Sequence, residues 1–365
     1  MLPPDLPRPV CAYLYDTATL RATTASVRRA LPAAASLLYA VKANGHPDVL
    51  RVLARECDGL EVASGGELAL AVAAGARRIV FGGPAKTDAE LRAALDAGAL
   101  INAESLHELH RIAALAGTPP EVVLRVNRPG SPLRGSHTMT GTPTPFGVDE
   151  TLVPQALAVP GVTIIGFHLH AVSNNLDGQA HAAFVRDALR WSQAQNLPGL
   201  RVVNVGGGFG VDYLSSNAMD LSPLRDIEVP YGVDLIFEPG RYLAADAGRY
   251  AAEVIDLKTT HGRTFAVLRG GTHHFRLPAA WGYSHPFTVV PVDDWPHPYP
   301  RPTVTDTQVD AVGELCTPRD VLTRGQHVER LRAGDVLVFG RTGAYGWDIS
   351  HHDFLRHDPP TFVVT

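Results

Sequence analysis

Between residues 36 and 240 the chain repeats one rhythm, a short apolar run followed by a longer connection. There are eight such runs: Ser36–Lys42, Gly59–Ala63, Arg78–Gly82, Ala99–Asn102, Glu121–Asn127, Val162–His170, Arg201–Val205 and Asp234–Glu238. Several connections carry a helical apolar period, among them Pro47–Glu56, Gly65–Ala74, Asp88–Ala97 and Gly178–Gln195. Strands that are apolar on both faces and joined through helices form parallel sheets. Eight units predict a closed (β/α)8 barrel, with a doubly wound open sheet as the alternative.

Beyond about residue 250 the helical period fades. Short strand-like runs take over, at Ala251–Leu257, Phe265–Leu268, Phe287–Pro291, Thr303–Val312, Asp335–Phe339 and Thr361–Val364, separated by Pro- and Gly-rich turns. The expected organisation is a barrel over residues 25–250. Residues 1–24, with a strand near Ala12–Tyr15, join 251–365 in a β-rich domain. Arg128–Pro145, rich in Gly, Ser, Thr and Pro, reads as a long loop.

The formal charge of −5, with no basic stretch, speaks against a nucleic-acid partner. No apolar run is long enough for a membrane span, and MLPPDLPRP lacks the pattern of a signal peptide. Cys11, Cys57 and Cys316 are few and widely spaced, as expected of a cytosolic protein without a disulfide framework.

In a barrel of this kind reactive residues gather at strand C-terminal ends. Lys42 ends the first run, and only three of the 32 basic residues are lysine (Lys42, Lys86, Lys258). Coding bias explains the abundance of arginine. It does not explain a lysine kept at a strand end, where an amine stripped of water can act as a nucleophile and arginine cannot. Lys86 and Lys258 read as surface residues. His168 and His170 share a face at the end of the sixth run, as a metal-ligand pair or as a ring stacked on a planar cofactor, and Ser173 follows. Gly206, Gly207 and Gly208 (VGGGFG) follow the seventh run and suit a phosphate. Glu238, Gly240 and Arg241 (EPGR) follow the eighth. An amine, a stacking ring, a phosphate cradle and a partner for a ring nitrogen on one rim match the needs of pyridoxal phosphate.

These motifs resemble the fold-type III pyridoxal-phosphate decarboxylases, the group of diaminopimelate, ornithine and arginine decarboxylases with an alanine racemase-like barrel. By that resemblance YAVKAN makes Lys42 the cofactor lysine, and GLEVASGGEL places Glu67 near the site. FHLHAVS makes His170 the stacking ring and Ser173 a phosphate contact. VGGGFG and EPGR supply the phosphate loop, the ring-nitrogen carboxylate Glu238, and Arg241. GELCTPRD resembles the segment that donates a catalytic cysteine, here Cys316, across a homodimer interface, with Thr317 and Asp320 as substrate contacts. GAYGWD makes Tyr345 a neighbour of cofactor and substrate.

The resemblance implies a decarboxylase, because the racemases of this fold carry arginine where Glu238 stands. It departs from the family pattern at two places. Thr317 replaces the acid that grips a distal ammonium, and Val172 replaces a glycine. The Ser-Asn-Asn stretch with Asn174 and Asn175 is similar to the siderophore-biosynthesis branch, whose members act on citryl-conjugated diamino acids. Arg128, Arg134, His273, His274 and Arg276 are expected carboxylate ligands. The alternatives are a diaminopimelate-type enzyme, a racemase, a pyridoxal-phosphate carrier without activity, and a metal-dependent hydrolase using His168 and His170.

Overall fold

The computed structural model describes residues 2–130, 133–215 and 217–365. The chain divides into two units: residues 20–212 with 217–243, and residues 1–19 with 213–216 and 244–365.

The first unit contains all eight expected strands: Ala35–Ala40, Gly59–Val62, Ile79–Phe81, Leu100–Ala103, Glu121–Asn127, Thr163–His168, Val202–Gly206 and Asp234–Phe237. Every neighbouring pair is parallel. Leu100–Ala103 also pairs with Glu121–Asn127, which closes the ring and excludes the open sheet. The expected helices form within a residue of their bounds, and capping explains their starts. Ser64 accepts from the Glu67 amide, Thr87 and Glu90 form a reciprocal capping box, Ser105 accepts from the Glu108 amide, and Asp177 accepts from the Ala180 amide.

The barrel core changes character along its axis. Leu38, Val80, Val123, Ile165, Val202 and Ile236, with Leu100 against them, form one apolar layer. Strand side chains alternate, so the inward position recurs two residues on. There the chain places Asn102, Arg125, Asn204 and Glu238, all buried, and the ladder sets His168 level with Arg125 and Asn204. An apolar plug thus underlies a polar layer at the C-terminal end of the strands. Five strands stop one or two residues short of their expected ends. Val41–Ala43 is a 3-10 turn, and Lys42, His170 and Glu238 stand just past the last ladder residues.

The loop between the fifth and sixth strands includes residues 131 and 132, which lie outside the described residues, and is tied down beyond them. His137–Thr138 pairs antiparallel with Val172–Ser173, Asn175 donates to the Arg134 carbonyl at 2.7 Å, and Thr140 Oγ1 donates to the His170 carbonyl at 3.1 Å.

In the second unit the sheet runs Phe287–Val290, Val336–Phe339, Gly248–Thr260, Arg263–Leu268, Thr303–Val312, Val321–Arg332. Cys11–Tyr15 pairs antiparallel with Gly248–Thr260 and parallel with Thr361–Val364. Gly248–Ala252 is taken up in that pairing, so this unit starts at 244 rather than 251. Val321–Arg332 escaped the sequence reading. It is one arm of an antiparallel pair, half exposed, and its charged and Gly residues mask the alternation. Among the described residues no helix is long and apolar enough to cross a membrane.

Candidate active site

The Val41–Ala43 turn carries Lys42 out of the first strand, and its ammonium donates to Glu61 Oε2. The Lys42 side chain is 43% exposed and the Glu61 side chain 7%. Lys42 is therefore not stripped of water, as its apolar approach suggested; it is held by a buried carboxylate. Glu61 was missed by the sequence reading, which chose Glu67. The Glu67 carboxylate accepts the Ala63 amide at 2.7 Å, at the start of the helix Gly65–Ala73. The overlooked signal is a lone carboxylate between Leu60 and Val62, on the strand face level with Ala40 and Val80.

The glycine loop is shaped by close approach. Gly206 and Gly208 have φ of +68° and +97°, which favour glycine. A Cβ on Gly206 would overlap the His170 ring, and one on Gly208 would lie 2.7 Å from the Val172 carbonyl oxygen. A Cβ on Gly207 would strike the Glu238 carbonyl, and one on Gly240 would lie 2.8 Å from Ala43 Cβ. Arg241, just past this crossing, is buried. Ser173 is half-buried and belongs to the short ladder with His137.

Asn204 also escaped the sequence reading. Its Nδ2 donates to Glu238 Oε1 at 2.6 Å and its Oδ1 accepts the Gly206 amide at 2.8 Å. Burial and the Glu61 carboxylate push Glu238 up to about 8. His168 Nε2 stands 3.7 Å from Glu238 Oε2, and its ring lies 6.3 Å from that of His170 at 21°. Burial, with the Arg125 and Lys42 charges, holds both imidazoles well below their usual range, so both are neutral. His170 Nδ1 is buried without a hydrogen-bond partner among the described residues. No group of three or more metal-ligating side chains occurs among those residues.

These features fit pyridoxal phosphate. The glycine loop carries no side chains and packs its backbone directly against His170, Val172 and Glu238, leaving bare backbone at the mouth for a phosphate. Glu238, raised by burial and by the Glu61 carboxylate, would be relieved by a protonated ring nitrogen. The neutral His170 offers a flat face, and Lys42 an accessible amine.

Several expected contacts lie elsewhere. Arg128 donates to Asp187 at 2.9 Å and packs on Trp191, so it is committed to the helix Gly178–Ala194. Asn174 Oδ1 accepts the Val211 amide and the Asn175 amide donates to the Gly208 carbonyl, so this pair straps loops together. Lys86 is buried against Glu108, contrary to its surface reading, whereas the Lys258 side chain is 53% exposed.

In the β-rich unit Cys316 is exposed. Asp320 is buried and accepts the Thr272 and Leu315 amides at 2.6 and 2.9 Å, so it shapes the loop instead of facing a ligand. Tyr345 is half-buried at φ +54°. His273 and His274 are buried, and burial with the charge of His273 pushes His274 down to about 2. Arg276 lines a cavity of about 680 Å³ together with Thr317, Arg319, Arg324 and His351, and among the described residues no carboxylate side chain lines it.

The family model described as pyridoxal-dependent decarboxylase, pyridoxal binding domain, matches residues 17–245. The chain is 39% identical to 2-[(L-alanin-3-ylcarbamoyl)methyl]-2-hydroxybutanedioate decarboxylase of Staphylococcus aureus, over 97% of this chain and 94% of that protein. It is 35% identical to diaminopimelate decarboxylase of Deinococcus radiodurans, over 97% and 89%. The crystal structure of M. jannaschii diaminopimelate decarboxylase with L-lysine superposes with a TM-score of 0.83 at 25% identity, covering 97% of this chain and 87% of that one. A barrel mouth built for pyridoxal phosphate and relatives of nearly full length thus agree, and the chain belongs to the pyridoxal-dependent decarboxylases.

Proposed function

We propose that this enzyme decarboxylates an amino acid whose distal part is anionic, a citryl-conjugated diamino acid of the kind named for its staphylococcal relative. The observation that carries the reading is the cavity beside Thr317. Arg276, Arg319 and Arg324 line it, and among the described residues no carboxylate engages their side chains. Unpaired guanidinium groups around a pocket without acids suit carboxylates and repel a distal ammonium. Thr317 in the cavity wall supports the same preference.

Pyridoxal phosphate, when bound, supplies an electron sink for the pair left behind as CO2 departs. Lys42 supplies the amine that holds the cofactor. Glu238, fixed by Asn204, keeps the proton on the ring nitrogen. Gly206–Gly208, Ser173 and Arg241 would hold the phosphate, and Tyr345 would contribute to the cofactor site. The neutral His170 covers the ring without adding a charge that would compete with the sink. Cys316 carries the proton that returns to Cα.

This reading includes a homodimer in which one protomer offers Cys316 and the arginine-lined wall to the substrate held by its partner. The free thiols Cys11, Cys57 and Cys316 support a cytosolic setting. The test is CO2 release from the citryl conjugate, meso-diaminopimelate, ornithine and lysine at equal concentration. Preference for the citryl conjugate is expected; preference for meso-diaminopimelate would overturn the reading in favour of the diaminopimelate enzyme.

A further inference from the structure

We infer that His181 is a positioning residue for the phosphate of the cofactor, acting from behind the Gly206–Gly208 loop. The inference rests on membership of the pyridoxal-dependent family. It concerns a residue that none of the motifs above includes.

His181 lies in the first turn of the helix Gly178–Ala194, which Asp177 caps through the Ala180 amide. Its residue exposure is 1%, and neither ring nitrogen has a hydrogen-bond partner among the described residues. The surroundings are aromatic. The ring meets Phe209 edge-on at 5.0 Å and Phe184 at 6.1 Å. Phenylalanine would fill that place without burying two unmet polar atoms, and such atoms are costly enough to need an explanation.

The orientation supplies one. A Cβ on Gly208 would stand 3.4 Å from His181 Cε1. Cε1, the carbon between the two nitrogens, is the ring atom nearest that position, which sets both nitrogens one bond from the point where the ring approaches the glycine loop. Gly208 is itself fixed, because its carbonyl accepts the Asn175 amide at 2.7 Å. Burial pushes His181 down to about 4, so at neutral pH the ring carries one N–H donor and one acceptor. The group this loop would hold is the cofactor phosphate, which would need a donor. A buried imidazole reaches it directly or through one ordered water.

The test uses His181→Phe and His181→Gln in the full-length protein. Cofactor is removed, and each protein is titrated with pyridoxal phosphate and with pyridoxal, followed by cofactor absorbance. His181→Phe is expected to weaken pyridoxal phosphate about tenfold, the scale of one hydrogen bond to a charged group, and to leave pyridoxal unchanged. The cofactor-free Phe variant is expected to melt higher than wild type, because two orphaned nitrogens are gone. His181→Gln, which keeps a donor, is expected to recover part of the phosphate-specific loss.

Unchanged affinity for pyridoxal phosphate in the Phe variant overturns the inference. So does an equal loss for both ligands, which would mean packing alone, or a Gln variant no better than Phe. A wild-type protein that binds neither ligand would instead overturn the cofactor assignment.

Discussion

Asn204 joins Glu238 to the glycine loop: one side-chain amide donates to the carboxylate at 2.6 Å and accepts the Gly206 amide at 2.8 Å. A single residue of the seventh strand thereby holds both the carboxylate proposed to pair with the ring nitrogen and the loop proposed to hold the phosphate. Asn204→Leu removes both bonds. A buried hydrogen bond to a charged group contributes about 1.5–3 kcal/mol, so cofactor affinity and kcat should each fall by about tenfold or more. Absorbance titration and steady-state kinetics check this. A loss of thermal stability with cofactor affinity intact would leave Asn204 a packing residue only.

The raised Glu238 makes the stability of the cofactor-free protein depend on pH. Its folded pKa, about 8, lies above the unfolded carboxylate value of 4.5. Between these values the folded state binds more protons than the unfolded state, so stability falls as pH rises through that window. Glu238→Gln removes the titration. Melts at pH 5.5 and pH 8 should show wild type losing about 2 kcal/mol relative to the variant at the higher pH, allowing for the shared charge with Glu61. With pyridoxal phosphate bound, a protonated ring nitrogen offsets the burial and the difference should shrink.

The barrel was legible because strands buried on both faces leave unbroken apolar runs, and because Ser64, Thr87, Ser105 and Asp177 mark where helices start. Lys42, His170 and Glu238 were legible because they end such runs. Glu61 and Asn204 were not. Each is one polar residue inside an apolar strand. Which level of the barrel it occupies depends on strand register across the closed ring, which no local pattern carries. The same limit hid Lys86. PAKTD looks like a surface turn, and its partner Glu108 lies on the next helix but one, Leu106–Leu115.

Lys86 leads to a stability prediction. Its ammonium donates to Glu108 at 2.6 Å and to the Gly83 and Asn102 carbonyls at 2.7 and 2.9 Å, in a buried setting. Lys86→Met leaves Glu108 buried and unpaired, which costs about 3–5 kcal/mol. The double variant Lys86→Met with Glu108→Leu removes both charges and should recover most of that loss. Urea unfolding of the two variants checks it; equal losses in both would mean that packing, and not the stranded charge, sets the cost.

Substrate choice should turn on Arg319 and Thr317, which share the wall of the arginine-lined cavity. Arg319→Ala removes a guanidinium that no carboxylate engages among the described residues, so its effect reads out as binding. Loss of one charged contact to a carboxylate is expected to raise KM for the citryl conjugate about ten- to a hundredfold, with kcat changed far less. Thr317→Glu places a carboxylate in the same wall. It should oppose the citryl group and favour a distal ammonium, moving the ratio of kcat/KM for meso-diaminopimelate over the citryl conjugate upward. If both substitutions leave that ratio where it was, the distal group is read elsewhere in the protein, and the arginines serve something other than substrate.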